Sequence, residues 1–284
     1  MARLAIEYGR SVVESSFSAL LELSLVLRAY SESLVLVGGW VPYFLLRDHR
    51  SKDSDFEHVG SIDADLIVDP DRIGSVEYAT IAETLRRRGW TPSPRSIFSF
   101  TKRIPSQLDS IAHEIKVDFL TPAPPRLQRK RQRHARVQHD LAARTMRGAR
   151  IALEHRTRVP IEGRLPEGGR VRSDILMADV VGFVTTKGLA LGERYAEKDA
   201  YDLVAVIENL EGGPEDVAAS VRPFLSDPLV AEGMGSIRQM FTDERSAGPI
   251  WFANFLTERR DTTHSMLVSR AFIVVSRFLD ALDR

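Results

Sequence analysis

The sequence predicts an α/β protein of the α+β kind with a mainly helical C-terminal part. Two observations predict it. Short apolar runs suited to strands alternate with helical patterns as far as about residue 120, and beyond Ser173 the apolar spacing is helical to the end of the chain.

In chain order, Ser11 to Ala29 carries Val12, Val13, Phe17, Leu20, Leu21, Leu23 and Leu27 at helical spacings, predicting an amphipathic helix that covers one face of a sheet. Leu34–Val37 is a short apolar strand, Trp40 to Leu46 starts a helix, and Arg47 to Gly60 is a charged, turn-rich insertion. Ile62–Val68 alternates as a strand and is closed by Asp69-Pro70; Val76 to Arg88 is helical and ends at Gly89; Phe98–Arg103 and His113–Leu120 are further strands. After Thr121-Pro-Ala-Pro-Pro125, the stretch Arg126 to Arg158 holds eleven Lys or Arg against Asp140 and Glu154. Within it Arg150 to Ile161 alternates like a strand, and Gly163 to Gly169 is a turn. The helical part is expected to break near Gly212-Gly213-Pro214, Gly233 to Gly235 and Gly248-Pro249. The expected organisation is a core over 1–125, a basic linker and strand segment over 126–172, and a helical domain over 173–284.

With 284 residues, 43% hydrophobic and 27% charged, the chain can bury a sizeable core. Lys plus Arg equals Asp plus Glu at 39 each, so a nucleic-acid partner has to be argued from local clustering. There is no cysteine, which excludes disulfides, thiolate metal sites and cysteine nucleophiles. The N-terminus lacks a secretory h-region and no apolar run approaches the roughly 20 residues of a bilayer span, so cytoplasmic residence without a membrane partner is expected.

Asp63 and Asp65 lie two apart on one strand, so their side chains share a face about 6.6 Å apart. Two carboxylates at that spacing, with Asp118 on a later apolar strand, suit a hard divalent cation such as Mg²⁺ or Mn²⁺, which takes oxygen ligands and is completed by substrate phosphates. Gly38 and Gly39, between a strand and a helix start, let backbone N–H groups approach phosphates. An Asp-x-Asp pair or a Gly-Gly alone is usually structural; the combination is much rarer.

Gly38, Gly39, Asp63, Ala64, Asp65, Leu66 and Asp118 together resemble the pattern of the nucleotidyltransferase superfamily related to DNA polymerase β, which implies a polymerase β-like core with a mixed sheet. The gap from Gly39 to Asp63 is longer than that family usually shows. Asp53-Ser-Asp55 fits the distance better, but its polar flanks do not make a buried strand.

A second segment runs from Lys187 through Arg194 and Lys198-Asp199 to Asp202-Leu203. As an unbroken helix it would place Lys187, Leu191, Arg194, Lys198 and Asp202 on one stripe, although Gly192 weakens such a helix; taken alone, a mixed-charge stripe is usually a solvated face. In context it resembles the signature of the AbiEii/AbiGii-type nucleotidyltransferases, the toxins of toxin–antitoxin and phage-defence pairs. That resemblance implies an NTP substrate, nucleotide contacts from Gly38, Gly39, Ser61, Lys187, Arg194, Lys198, Asp199 and Asp202, and catalysis by Asp63, Asp65, Asp118 and Lys187. It leaves open whether Asp199 or Asp202 is the functional aspartate. It also favours RNA, in particular the 3′ end of tRNA, as acceptor, and implies an antitoxin partner.

The run Arg126 to Arg136 can grip a polyanion or be a solvated linker, and it lacks interleaved aromatics. The seven histidines show no paired metal-binding spacing, and no G-x-S-x-G, Walker A or G-x-G-x-x-G motif occurs. The expected activity is therefore transfer of a nucleoside monophosphate from NTP with release of pyrophosphate. A nucleotidyltransferase acting on an aminoglycoside-like molecule and a non-catalytic binding protein of the same fold are the alternatives.

Overall fold

The computed structural model describes residues 4–73, 79–123 and 134–284. The chain forms two compact units, one comprising Gly9–Val41 and Gly60–Ala178, the other Met1–Tyr8, Pro42–Val59 and Asp179–Arg284.

The first unit is built on a mixed sheet that, among the described residues, has nine strands: β1 (Leu34–Val37), β2 (Asp63–Val68), β3 (Thr91–Pro92), β4 (Ser99–Pro105), β5 (Ala112–Thr121), β6 (His134–Gln138), β7 (Leu141–Thr145), β8 (Arg156–Arg164) and β9 (Arg170–Ala178). The order is β3-β4-β5-β2-β1-β9-β8, with β7 pairing the far end of β5 and β6 pairing β7. β2 runs parallel to β5 and antiparallel to β1, while β1 runs parallel to β9. All four residues of β1 are buried, as suits a short apolar run between two neighbours. Helix α1 (Arg10–Val26) packs against β4, β5, β8 and β9. Its one buried carboxylate, Glu22, accepts hydrogen bonds from Trp90 Nε1 at 3.1 Å and Lys102 Nζ at 2.6 Å.

Helix α2 (Trp40–His49) follows β1 directly. Helix α3 (Ile81–Arg87) starts at a Thr80 cap whose hydroxyl accepts from the Glu83 N–H. Positions 76–78 of the helix expected from the sequence lie outside the described residues. The segment 134–178 supplies β6 to β9 of this same sheet, and the alternation over 150–161 resolves differently from expectation. Ala149–Glu154 is helix α4, burying Ala149, Ile151 and Ala152, and the strand begins only at Arg156. The turn is likewise shorter, since β8 continues through Gly163 to Arg164 and β9 runs to Ala178 before any helix starts.

The second unit is helical: α5 (Val180–Glu193), α6 (Glu197–Asn209), α7 (Gly213–Val221), α8 (Pro228–Met240), α9 (Ala247–Leu256) and α10 (Thr262–Leu282). The break at Gly212 is present, with φ at +78°. Gly233 to Gly235 does not break the chain and lies inside α8. A Cβ on Gly188 would stand 2.4 Å from the Gly233 carbonyl oxygen, so α5 and α8 cross in backbone contact, and the glycines are there for packing. Residues 42–59 belong to this unit: Ser51 N–H donates to the Asn209 carbonyl and Ser54 Oγ to Asn209 Oδ1, tying the segment to the end of α6. Asp53 and Asp55 lie in it outside any strand. No helix among the described residues is long and apolar enough to cross a membrane.

Candidate active site

In the sheet unit, the β2–β5 register places Asp65 beside Asp118 and Asp63 beside Lys116, and the β4–β5 register places Ser99 beside Asp118. Paired residues share a face, so three carboxylates, a lysine and a serine converge on one side of adjacent strands about 4.8 Å apart. Both oxygens of Asp118, which is buried, are engaged: Ser99 Oγ donates to Oδ1 at 2.5 Å and Lys116 Nζ to Oδ2 at 2.8 Å. The same ammonium lies 3.8 Å from Asp63 Oδ2. Asp65 differs, because among the described residues neither of its oxygens has a hydrogen-bond donor. Burial, then the charge of Asp118, pushes its carboxyl up to about 6 against the pull of Lys116. Burial opposes the charge on Lys116, but Asp63, Asp118 and Asp65 together hold it above the ordinary lysine value.

Gly38 closes this corner. Its φ of +77° is left-handed, and a Cβ there would lie 2.3 Å from Asp65 Oδ2. The turn of Gly38 and Gly39 between β1 and α2 therefore abuts the carboxylate that lacks a partner. Ser61 is buried and gives its hydroxyl to the Asp63 carbonyl at 3.0 Å, shaping the start of β2. An all-oxygen donor set, a carboxylate without a donor and a cradle that a side chain would fill together fit a small hard cation. Asp63, Asp65 and Asp118 are the residues that would hold it, but their oxygens would first have to draw together, since they are not all within 4.8 Å of one another as the ligand atoms of Glu83, His139 and Asp140 are.

The second motif forms a buried ionic network within the helical unit. The unbroken helix expected over 187–202 is not present: α5 ends at Glu193, Arg194 is extended at φ −146° and ψ 152°, and α6 starts at Glu197. The charges converge across that corner instead of along one stripe. Lys187 Nζ donates to Asp199 Oδ1 and Asp202 Oδ2, each at 2.7 Å, so both aspartates hold it. Arg194 Nε donates to Asp199 Oδ2 at 2.8 Å, and Lys198 Nζ to Asp202 Oδ1 at 2.7 Å. His58 Nε2 lies 3.0 Å from Asp202 Oδ1 and its ring stacks on Tyr201. Although burial opposes it, Lys187 and Lys198 hold Asp202 far below the usual carboxylate range, and Asp199 is lowered by Lys187 and Arg194. Burial lowers His58 to about 4, outweighing its bond to Asp202, so the ring is neutral near pH 7 and donates to the carboxylate. Arg194 is the most exposed member of the set.

Asp63, Asp65, Asp118, Gly38, Gly39 and Ser61 thus lie in the sheet unit, and Lys187, Arg194, Lys198, Asp199 and Asp202 in the helical unit. Lys116, Ser99 and His58 were not singled out from the sequence. Lys116 carried a usable signal, since it stands two residues before Asp118 on an alternating strand. Residues 126–133 of the basic run lie outside the described residues. Glu83, His139 and Asp140 have ligand atoms within 4.8 Å of one another; Asp140 Oδ2 accepts from Thr80 Oγ1 and Arg86, while its Oδ1 is buried without a hydrogen-bond partner among the described residues.

No protein-family model matches the chain, and no curated protein matches it. Among solved structures, the chain is similar to JHP933 from Helicobacter pylori, known as a crystal structure, at 12% identity over 93% of this chain and 94% of that one, with a TM-score of 0.36. At that score the likeness carries neither fold family nor function.

Proposed function

We propose that the chain is a divalent-metal-dependent nucleotidyltransferase with a polymerase β-like core, moving a nucleoside monophosphate from NTP to an acceptor hydroxyl and releasing pyrophosphate. One observation carries the proposal: Asp63, Asp65 and Asp118 share a sheet face, with Gly38 so close to Asp65 that no side chain fits between them. Asp63 and Asp65 would hold the Mg²⁺ or Mn²⁺, which when bound would supply Lewis-acid stabilisation of charge at the reacting phosphate. Asp118 completes the ligand set and takes the proton of the acceptor hydroxyl, with Ser99 fixing its carboxylate plane. Gly38 and Gly39 leave the turn open to the triphosphate. In the helical unit Lys187, Arg194, Lys198, Asp199 and Asp202 form the ionic network to which the resemblance assigns nucleotide contacts, with Lys187 facing the triphosphate and Arg194 and Lys198 assisting.

The resemblance to AbiEii-type toxins extends the proposal to RNA, in particular the tRNA 3′ end, as acceptor, to growth inhibition held in check by an antitoxin, and to the cytoplasm as the place of action. The test is incubation of the purified protein with each α-labelled NTP, Mg²⁺ and total RNA. A labelled RNA band is expected for the native chain and not for Asp63→Ala or Asp65→Ala. Equal labelling by either variant, or no labelling with any NTP and any acceptor, refutes the assignment.

A further inference from the structure

The three carboxylates already hold a cation of their own. Lys116 is the register partner of Asp63 and reaches between Asp63 Oδ2, at 3.8 Å, and Asp118 Oδ2, at 2.8 Å. Lys102 and Lys187, by contrast, have side chains only 14% and 8% exposed in their ion pairs, whereas that of Lys116 is 36% exposed. A lysine stem has four rotatable bonds, so its ammonium can leave these oxygens for water without any change in the strand. The carboxylate it does not bond is Asp65, the one set against the Gly38 turn.

From this geometry we infer that Lys116 is a removable counter-ion: its ammonium, which stands between Asp63 and Asp118, would swing out when these carboxylates take up a divalent cation. The inference rests on the metal reading above. With Lys116 in place the acidic face is partly neutralised, so the folded apo protein avoids three uncompensated carboxylates on neighbouring strands. The same charge opposes a divalent cation. Were the ammonium to stay about 4 Å from the ion it would weaken binding on the order of 30-fold even at the dielectric of water, so it has to move out, and the contacts it gives up at Asp63 and Asp118 are what lower the affinity. The site is therefore set for weak metal binding alone and tighter binding once a nucleotide brings further negative charge and draws the ammonium away.

The experiment is titration of the full chain with Mn²⁺, without nucleotide, following free Mn²⁺ by electron paramagnetic resonance. The native protein is compared with Lys116→Gln, Lys116→Met and Lys116→Arg, each checked for folding by circular dichroism. Lys116→Gln and Lys116→Met are expected to bind Mn²⁺ at least about tenfold more tightly than the native chain, and Lys116→Arg to stay close to native. A merely structural lysine would give the opposite sign, since its loss loosens the site. Binding by the neutral variants equal to or weaker than native overturns the inference while leaving the metal site standing. Absence of Mn²⁺ binding in every protein at millimolar metal removes the metal reading and the inference with it. Should one neutral variant fail to fold, the other decides, and if both do, Lys116 is a structural ion-pair partner and the inference is wrong.

Discussion

The apo fold disfavours the ionised form of Asp65, and replacing it with asparagine should stabilise the protein while disabling it. Its carboxyl is raised from an ordinary 3.8 to about 6 by burial and by Asp118. Above pH 6 the folded state holds a charge it disfavours, whereas the unfolded chain ionises freely; below 3.8 both states are protonated and the difference vanishes. The native protein therefore loses stability as pH rises through that window, by up to about 3 kcal/mol at pH 7.5 but only about 1 kcal/mol at pH 4.5. Asp65→Asn removes the penalty with nearly the same volume and no hydrogen bond to break. In EDTA at pH 7.5 it should melt about 6–12 °C above the native chain, at 2–4 °C per kcal/mol for a protein of this size, with the gap shrinking toward pH 4.5. Millimolar Mn²⁺ should raise the native melting point and leave the variant's unchanged, because only a ligand-binding folded state is stabilised by mass action. A variant less stable than native at pH 7.5, or a gap independent of pH, refutes the account of Asp65 as a buried charge waiting for a cation.

Further outcomes can be checked in parallel. Gly38→Ala should lower stability by about 1–2 kcal/mol for the left-handed backbone and weaken Mn²⁺ binding by displacing Asp65, both read in the titration and melts above; native-like affinity would mean that the glycine does not shape the site. Lys187→Met leaves Asp199 and Asp202 buried with too little positive charge and should destabilise by about 3–5 kcal/mol in urea unfolding, so a loss under 1 kcal/mol would show that the network is not held by this lysine. His58 is kept neutral by burial, with its value lowered to about 4 from 6.5, so its contribution is present above pH 6.5 and is lost as pH falls toward 4. Hydrogen exchange should accordingly show the helical unit opening more readily between pH 6.5 and 4.5, by up to about 2 kcal/mol, and His58→Phe should flatten that dependence.

The strands bearing Asp63, Asp65 and Asp118 were legible because alternation and apolar flanks are local properties, and the same alternation puts Lys116 on the face of Asp118. Ser99 was not legible in this way, since its role depends on the β4–β5 register and no local pattern fixes which residue of one strand faces Asp118. The segment 150–161 misled because a six-residue helix followed at once by a strand mimics one alternating run. Gly233 misled because a glycine in a helix reads as a break unless the backbone it lets approach, at Gly188 and Thr185, is known. His58 lies far in sequence from Asp202, and nothing near it announces a partner 144 positions away. The α5–α6 corner shows the reverse case: Lys187, Lys198, Asp199 and Asp202 do come together, but across the break between two helices and not along one continuous stripe.

The helical unit is interrupted in sequence, and this bears on how the molecule can be cut. A fragment begun near residue 173 would carry α5 to α10 but lack His58, the neutral donor beside Asp202, and Ser51 and Ser54, which engage the last turn of α6. Such a truncation leaves a buried aspartate short of one donor and the end of a helix without its lateral support, so its failure to express would say nothing about toxicity. Neither half can be exchanged as a cassette; a transplant would have to carry residues 42–59 along with the C-terminal portion.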